Sequence, residues 1–278
     1  MNLDEKDQKA FELADEFLKN WAEQINMSAT GKDLDYYARP ADRSVTLERL
    51  YERLLVSATN STMKPKVIVK PIGSIGQLKG VLCDFDPKSI IGKFGFDSNQ
   101  VLNGIASQFA ILETRNITSR RKGLWSGFCR TILSGAEFLS QFHSAIEFYA
   151  WADTYDRDEM SRAALALLLA QEVDGIGFAL ACDFLKEIGY EQYGKPDSQV
   201  RGIFEELGLC DKGISDYKLF RAIVRVAKNN QATPYKVDKW FWLIGSGNFY
   251  AHPGLGNEGR VGGRTKAFYD LVKGRLHS

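Results

Sequence analysis

Apolar residues recur at three- and four-residue steps along most of this chain, the spacing that gives a helix one buried face. From Leu3 to Ile25, the residues Phe11, Leu13, Ala14, Phe17, Leu18, Trp21 and Ile25 predict an amphipathic helix. A second is predicted from an N-cap at about Ser44 through Leu47, Leu50, Tyr51, Leu54 and Leu55. Between Lys64 and Asp97 the pattern breaks. Pro65, Pro71, Pro87, several glycines and the β-prone run Val67-Ile68-Val69 predict a loop-rich connection there, with at most a small β element near residues 66–84. Asp97-Ser98 can cap a helix, and helical spacing returns at about 99–113, 123–141, 143–152, 157–172, 178–188, 198–207, 215–228, 235–244 and 265–276. No repeat at solenoid periods is present. The expectation is an all-α fold of helix on helix, with residues 1–97 as an N-terminal region of unassigned role and 98–278 as the main helical domain.

A chain of 278 residues, 44% of them hydrophobic, can bury a substantial core as one large or two closely packed domains. Cys83, Cys129, Cys182 and Cys210 are spread singly, without the spacing of a zinc or iron–sulfur site, so reduced thiols in the cytoplasm are expected. The stretch Met1–Gln24 is charged and acidic-rich, and no run of about 18 apolar residues occurs, so neither secretion nor membrane insertion is expected. A formal net charge of +1 does not announce a nucleic-acid partner. Two stretches are nonetheless locally basic, one with Arg115, Arg120, Arg121, Lys122 and Arg130, the other with Arg260, Arg264, Lys266, Lys273 and Arg275; taken alone they read as solvated faces.

The informative stretch is Val173-Asp174-Gly175-Ile176-Gly177-Phe178-Ala179, which joins the helical run ending near Ala170 to the helical run through Leu185. An apolar-Gly-apolar-Gly turn between helices lets the backbone turn sharply and approach a ligand without Cβ interference. The N–H groups at the start of the second helix, with the positive end of its dipole, suit a phosphate and need no basic side chain. A plain αα-hairpin, with the glycines serving only the turn, is the competing reading. Asp197 follows twenty residues after Gly177, at the expected N-cap of the next helix, where main-chain N–H groups and the dipole favour a charged carboxylate. A simple helix cap is the competing reading here.

The stretch from Val173 to Leu209 resembles the signature of the helix-hairpin-helix DNA glycosylase superfamily, to which endonuclease III and the bacterial alkylbase glycosylases belong. In that family an apolar-Pro-Gly-apolar-Gly hairpin opens a helix with a small residue four places after the second glycine, a place that Ala181 fills. An aspartate then starts the next helix, with a branched apolar residue and an arginine soon after, matched by Asp197, Val200 and Arg201; the pair Pro196-Asp197 is nearer the alkylbase branch. The helical surroundings are compatible over roughly residues 98–245. Asp174 stands where the hairpin proline is usual. Ala179 stands where bifunctional members carry the Schiff-base lysine, and Lys186 or Lys195 could replace that lysine only through an unusual geometry.

The resemblance implies a two-lobed helical bundle acting on double-stranded DNA, near the nucleoid if the source is bacterial. Gly175, Ile176, Gly177, Phe178 and Ala179 would grip phosphate. Gln108, in Ile105-Ala106-Ser107-Gln108, would wedge into the duplex in place of the flipped base, with a solvent-facing helix glutamine as the alternative. Asp197 would stabilise positive charge on the sugar and orient or deprotonate water, giving base-excision chemistry without strand cleavage. No cofactor and no catalytic metal are implied, the iron–sulfur lobe of some relatives is missing, and a monovalent cation at the hairpin is implied. Trp125, Phe178, Trp240 and Trp242 are candidates for the base pocket, although tryptophans of this kind more often serve the core.

The glycine-rich run 245–263 contains Gly254-Leu-Gly256-Asn-Glu-Gly259, but no strand precedes it, so it reads as a loop contacting phosphate or covering the pocket rather than a dinucleotide site, with a disordered connector as the alternative. His143, His252 and His277 are too scattered for a triad or a metal site. A non-catalytic DNA-binding module and a protein-interaction scaffold remain the alternatives, and the base excised is left to pocket shape.

Overall fold

The computed structural model describes residues 2–27, 34–60, 65–111, 123–247 and 264–276. Arg115, Arg120, Arg121, Lys122, Arg260, residues 248–263, His252 and His277 lie outside them. The described residues are all-α, without a strand. In chain order the helices are α1 (Leu3–Gln24), α2 (Leu47–Thr59), α3 (Lys70–Ile72), α4 (Pro87–Phe94), α5 (Ser98–Ala106), α6 (Leu124–Ser140), α7 (Ala145–Asp153), α8 (Glu159–Glu172), α9 (Phe178–Glu187), α10 (Ser198–Glu206), α11 (Asp216–Asn229), α12 (Pro234–Ser246) and α13 (Thr265–Leu276).

Most of these helices start where a short polar side chain can replace the missing intrahelical acceptor. Asn2 and Glu5 form a reciprocal capping box at α1. α2 is capped by Thr46, whose Oγ1 accepts the Arg49 N–H, and not by Ser44 as expected; Ser44 donates its N–H to the Tyr149 hydroxyl instead. Two further expectations are corrected. Val67-Ile68-Val69 lies in a π-helical turn, Pro65–Val69, that runs into α3, and no β element occurs among the described residues of 66–84. A lone β-branched run has no partner strand to pair with, whereas Ile68 becomes fully buried when this turn packs on α2 and α6. The helix expected over 99–113 ends at Ala106, where the Ser107 hydroxyl donates back to the Gly104 carbonyl.

The chain divides into two compact units, residues 42–188 and residues 1–41 with 189–278, so the expected junction at 97/98 lies inside the first of these. In the unit 42–188, α6 is the hub, packed by α2, α4 and α5, while α9 packs on α2 and α8. Leu50, Leu54, Phe128, Ile132, Leu165, Phe184 and Leu185 are buried there, each stabilising the fold by roughly 1.5–3 kcal/mol relative to exposure. A Cβ on Gly135 would stand 2.9 Å from Leu54 Cδ2, so its absence lets α2 and α6 approach closely. The Tyr51 hydroxyl, buried between them, donates to the Ile132 carbonyl at 2.6 Å.

In the other unit α12 packs on α10, α11 and α1, with α13 against α1 and α12. Its core includes Leu13, Leu18, Trp21, Val200, Phe204, Ile223, Val237, Trp240, Phe241 and Phe268. Trp240 is fully buried, and its indole N–H donates to Asp15 Oδ1 at 3.0 Å. Burial pushes the Asp15 carboxyl up, but hydrogen bonds from Lys19 and Trp240 outweigh it and hold the group below its ordinary value of 3.8. A carboxyl whose folded pKa is lowered adds stability above its unfolded value and loses it as pH falls through the folded one. Trp240→Phe should therefore flatten the acid decline of Tm between about pH 5 and 2 relative to wild type. Thermal unfolding across that range checks this, and parallel curves would uncouple Trp240 from Asp15.

Candidate functional site

The hairpin is built from buried apolar residues on either side of exposed polar backbone. α8 ends with Val173 in extended conformation (φ −115°, ψ 110°), and Ile176 donates its N–H to the Val173 carbonyl at 3.1 Å. Gly175 has φ +76° while Asp174 keeps negative φ, which makes Val173–Ile176 a type II turn requiring glycine at its third position. Val173 and Ile176, 0% and 2% exposed, anchor the turn in the core, while Asp174, Gly175 and Gly177 face out. Gly177 is the N-cap of α9, its carbonyl accepting the Leu180 and Ala181 N–H groups, and no side chain caps this helix start. A Cβ at Gly177 would meet nothing within 4 Å beyond its chain neighbours, so it would stand in open space. Phe178 is buried at the helix start and Ala179 is half-buried. Ser134 of α6 accepts the Asp174 N–H at 2.9 Å. Sequence reasoning missed Ser134, since nothing local marks a helix serine forty positions from its partner.

Asp197 is half-buried at the N-cap of α10, with Oδ1 accepting the N–H groups of Gln199 (2.9 Å) and Val200 (3.1 Å). Its own N–H donates to the Lys195 carbonyl, and its carbonyl accepts from Arg201. Arg201 in turn donates to the Ile214 carbonyl and to Asp216 Oδ1. The approach loop is held from below by Asp238 of α12, a fully buried carboxylate whose Oδ2 accepts the Lys195 N–H at 2.9 Å. Asp238 was also missed, because an aspartate between Val237 and Lys239 reads as one more polar position of a helix. Gly194 makes this contact feasible. A Cβ there would stand 2.7 Å from Ile223 Cγ2 and 2.8 Å from the Pro234 carbonyl oxygen. Gly194→Ala should therefore cost about 1–3 kcal/mol. Urea unfolding measures this, and an unchanged midpoint would mean that the loop and Pro234 can part without loss.

The remaining candidates divide between the units. Gln108 is exposed just beyond α5, its N–H on the Ile105 carbonyl. Trp125 and Trp240, 1% and 0% exposed, have their rings inside the cores, where no face is open to a base; Trp242 is half-buried. Lys186 is 4% exposed with its Nζ 3.7 Å from Asp183 Oδ1, and Asp183 also accepts from Asn60 at 2.9 Å. Lys195 is 9% exposed. Arg130 of the first basic stretch is half-buried, and in the second Lys266 and Lys273 are exposed while Arg275 pairs with Glu16 at 2.8 Å. Among the described residues no group of three or more His, Cys, Asp or Glu is placed to hold a metal ion, and no helix is long and apolar enough to cross a membrane.

No protein-family model matches the chain, and none of the curated proteins does. Among solved structures, it is similar to that of the Methanocaldococcus jannaschii 8-oxoguanine glycosylase/lyase in complex with 15mer DNA containing 8-oxoguanine, with a TM-score of 0.48 and 13% sequence identity, covering 74% of this chain and 84% of that chain.

Proposed function

We propose that this protein is a DNA glycosylase that hydrolyses the N-glycosidic bond of a modified base flipped out of duplex DNA, leaving an abasic site and an intact strand. The observation that carries this reading is the start of α9, where an outward-facing glycine with no side-chain cap is held by a turn anchored in the core. Such a terminus offers main-chain donors and the positive dipole end to a phosphate, which lets a chain of net charge +1 hold DNA. A monovalent cation held by main-chain carbonyls of the same turn would add positive charge beside the phosphate.

Gln108 fills the gap left by the flipped base, and the half-buried Trp242 is an aromatic side chain suited to stacking on a base. As the C1′–N bond breaks, positive charge spreads over C1′ and the ring oxygen, and the Asp197 carboxylate stabilises it. Asp197 accepts a proton from water as the water oxygen bonds to C1′, and the departing base takes up a proton from solvent. Water as the nucleophile is supported by Ala179, which offers no amine, and by the burial of both Lys195 and Lys186, the latter beside Asp183.

The test is incubation with duplexes carrying oxidised, alkylated, deaminated or hypermodified bases, with the freed base detected by mass and abasic sites opened by mild alkali. Base release with strands broken only after alkali is the expected result, together with no covalent adduct on borohydride trapping. Salt-sensitive duplex binding without release from any substrate would favour a DNA-binding module, and failure to bind duplex even at low salt a protein-interaction scaffold.

A further inference from the structure

The Asp174 N–H leaves the type II turn and donates to Ser134 Oγ at 2.9 Å, forty positions back on α6. The Ser134 hydroxyl spends its own proton on the Arg130 carbonyl at 2.9 Å, which sets its rotor and aims a lone pair at Asp174. Its neighbour Gly135 has no side chain, and a Cβ there would lie 3.7 Å from Val173 Cγ1, so α6 lies directly against the start of the turn. Asp174 occupies the second position of that turn, where proline is favoured because its fixed φ fits and it has no N–H to satisfy. Val173 before it is extended, the conformation a following proline demands.

We propose that Ser134 is a positioning residue for the hairpin: by accepting the Asp174 N–H it holds the turn in the geometry that presents the α9 amides, the task a proline at position 174 would perform without a partner. The proposal rests on the reading of the hairpin as a phosphate grip. It predicts an interaction between two positions, which a merely structural serine in α6 would not show.

The experiment is a double-mutant cycle read by equilibrium binding of a labelled duplex and by amide exchange of the free protein. Ser134→Ala should weaken duplex binding by about three- to tenfold, the effect of one lost hydrogen bond. The same factor is expected in the Asp174→Asn background, which removes the charge but keeps the N–H. In the Asp174→Pro background Ser134→Ala should change binding by less than about twofold, since no donor remains. Ser134→Thr, which keeps the acceptor, should bind nearly as wild type.

Exchange of the Ile176, Leu180 and Ala181 amides, bonded to the Val173 and Gly177 carbonyls, should quicken in Ser134→Ala and slow again when Asp174→Pro is added. An equal loss of binding in all three backgrounds, or no loss in any, would overturn the proposal. Should wild type bind no duplex, the phosphate reading falls and exchange alone decides: quickening reversed by Asp174→Pro upholds the tether, and unchanged exchange overturns it.

Discussion

Asp197→Asn should reduce base release by at least about a thousandfold while leaving duplex affinity within about twofold of wild type. The substitution isolates charge from shape. Asn keeps an oxygen where Oδ1 accepts the Gln199 and Val200 N–H groups, so the cap of α10 survives, whereas the negative charge that would meet an oxocarbenium-like sugar is gone. Asp197→Ala would confound the two, since losing the cap costs about 1 kcal/mol of helix stability in its own right. Single-turnover release measured beside duplex titration separates the outcomes. Release that persists in Asp197→Asn would remove this carboxylate from the chemistry; release and binding lost together would point to damage around the Gly194–Asp197 loop.

Arg225→Met should be the most destabilising of these single substitutions, at about 3 kcal/mol, with a fall in Tm on the order of 10 °C. Asp7 of α1 is fully buried, and Arg225 of α11 meets it through two hydrogen bonds, Nε to Oδ2 at 2.7 Å and Nη2 to Oδ1 at 3.0 Å. Asn229 Nδ2 adds a third at 2.9 Å, and the Asn230 amide donates to the Asp7 carbonyl. Methionine preserves most of the packing of the arginine stem but leaves a buried carboxylate without its cation. The reverse change is gentler. In Asp7→Asn the freed guanidinium, 31% exposed, still donates to the Leu209 carbonyl and can turn toward water, so about 1.5–3 kcal/mol is expected. Urea denaturation of both variants checks the asymmetry, and equal costs under about 1 kcal/mol would show that the pair is solvated in practice.

Both predictions turn on aspartates that look alike in the sequence. Asp197 was legible as a helix cap from its local pattern, and the α10 N-terminus is where that reading put it. Asp7 reads as one of several acids in the first turns of α1, and Asp238 as a polar position of α12, yet each is 0% exposed. Their hydrogen-bond partners Arg225 and Lys195 lie 218 and 43 positions away, and no local pattern encodes such pairings. The same holds for Trp125 and Trp240, whose size suits a pocket wall as well as a core until the neighbouring helices are in place.

What the sequence determined by itself was most of the helices and several of their starts, because helical periodicity, capping side chains and turn glycines act within a few residues of one another. The turn Val173–Ile176, the glycine N-cap of α9 and the carboxylate at the head of α10 are of this local kind. Only the tertiary structure decided that Val67-Ile68-Val69 is helical, that residues 1–41 join 189–278 in one compact unit, and that Ser134 meets Asp174. Those outcomes depend on which helix faces pack together, and the energy that selects them comes from apolar area buried between segments far apart in the chain.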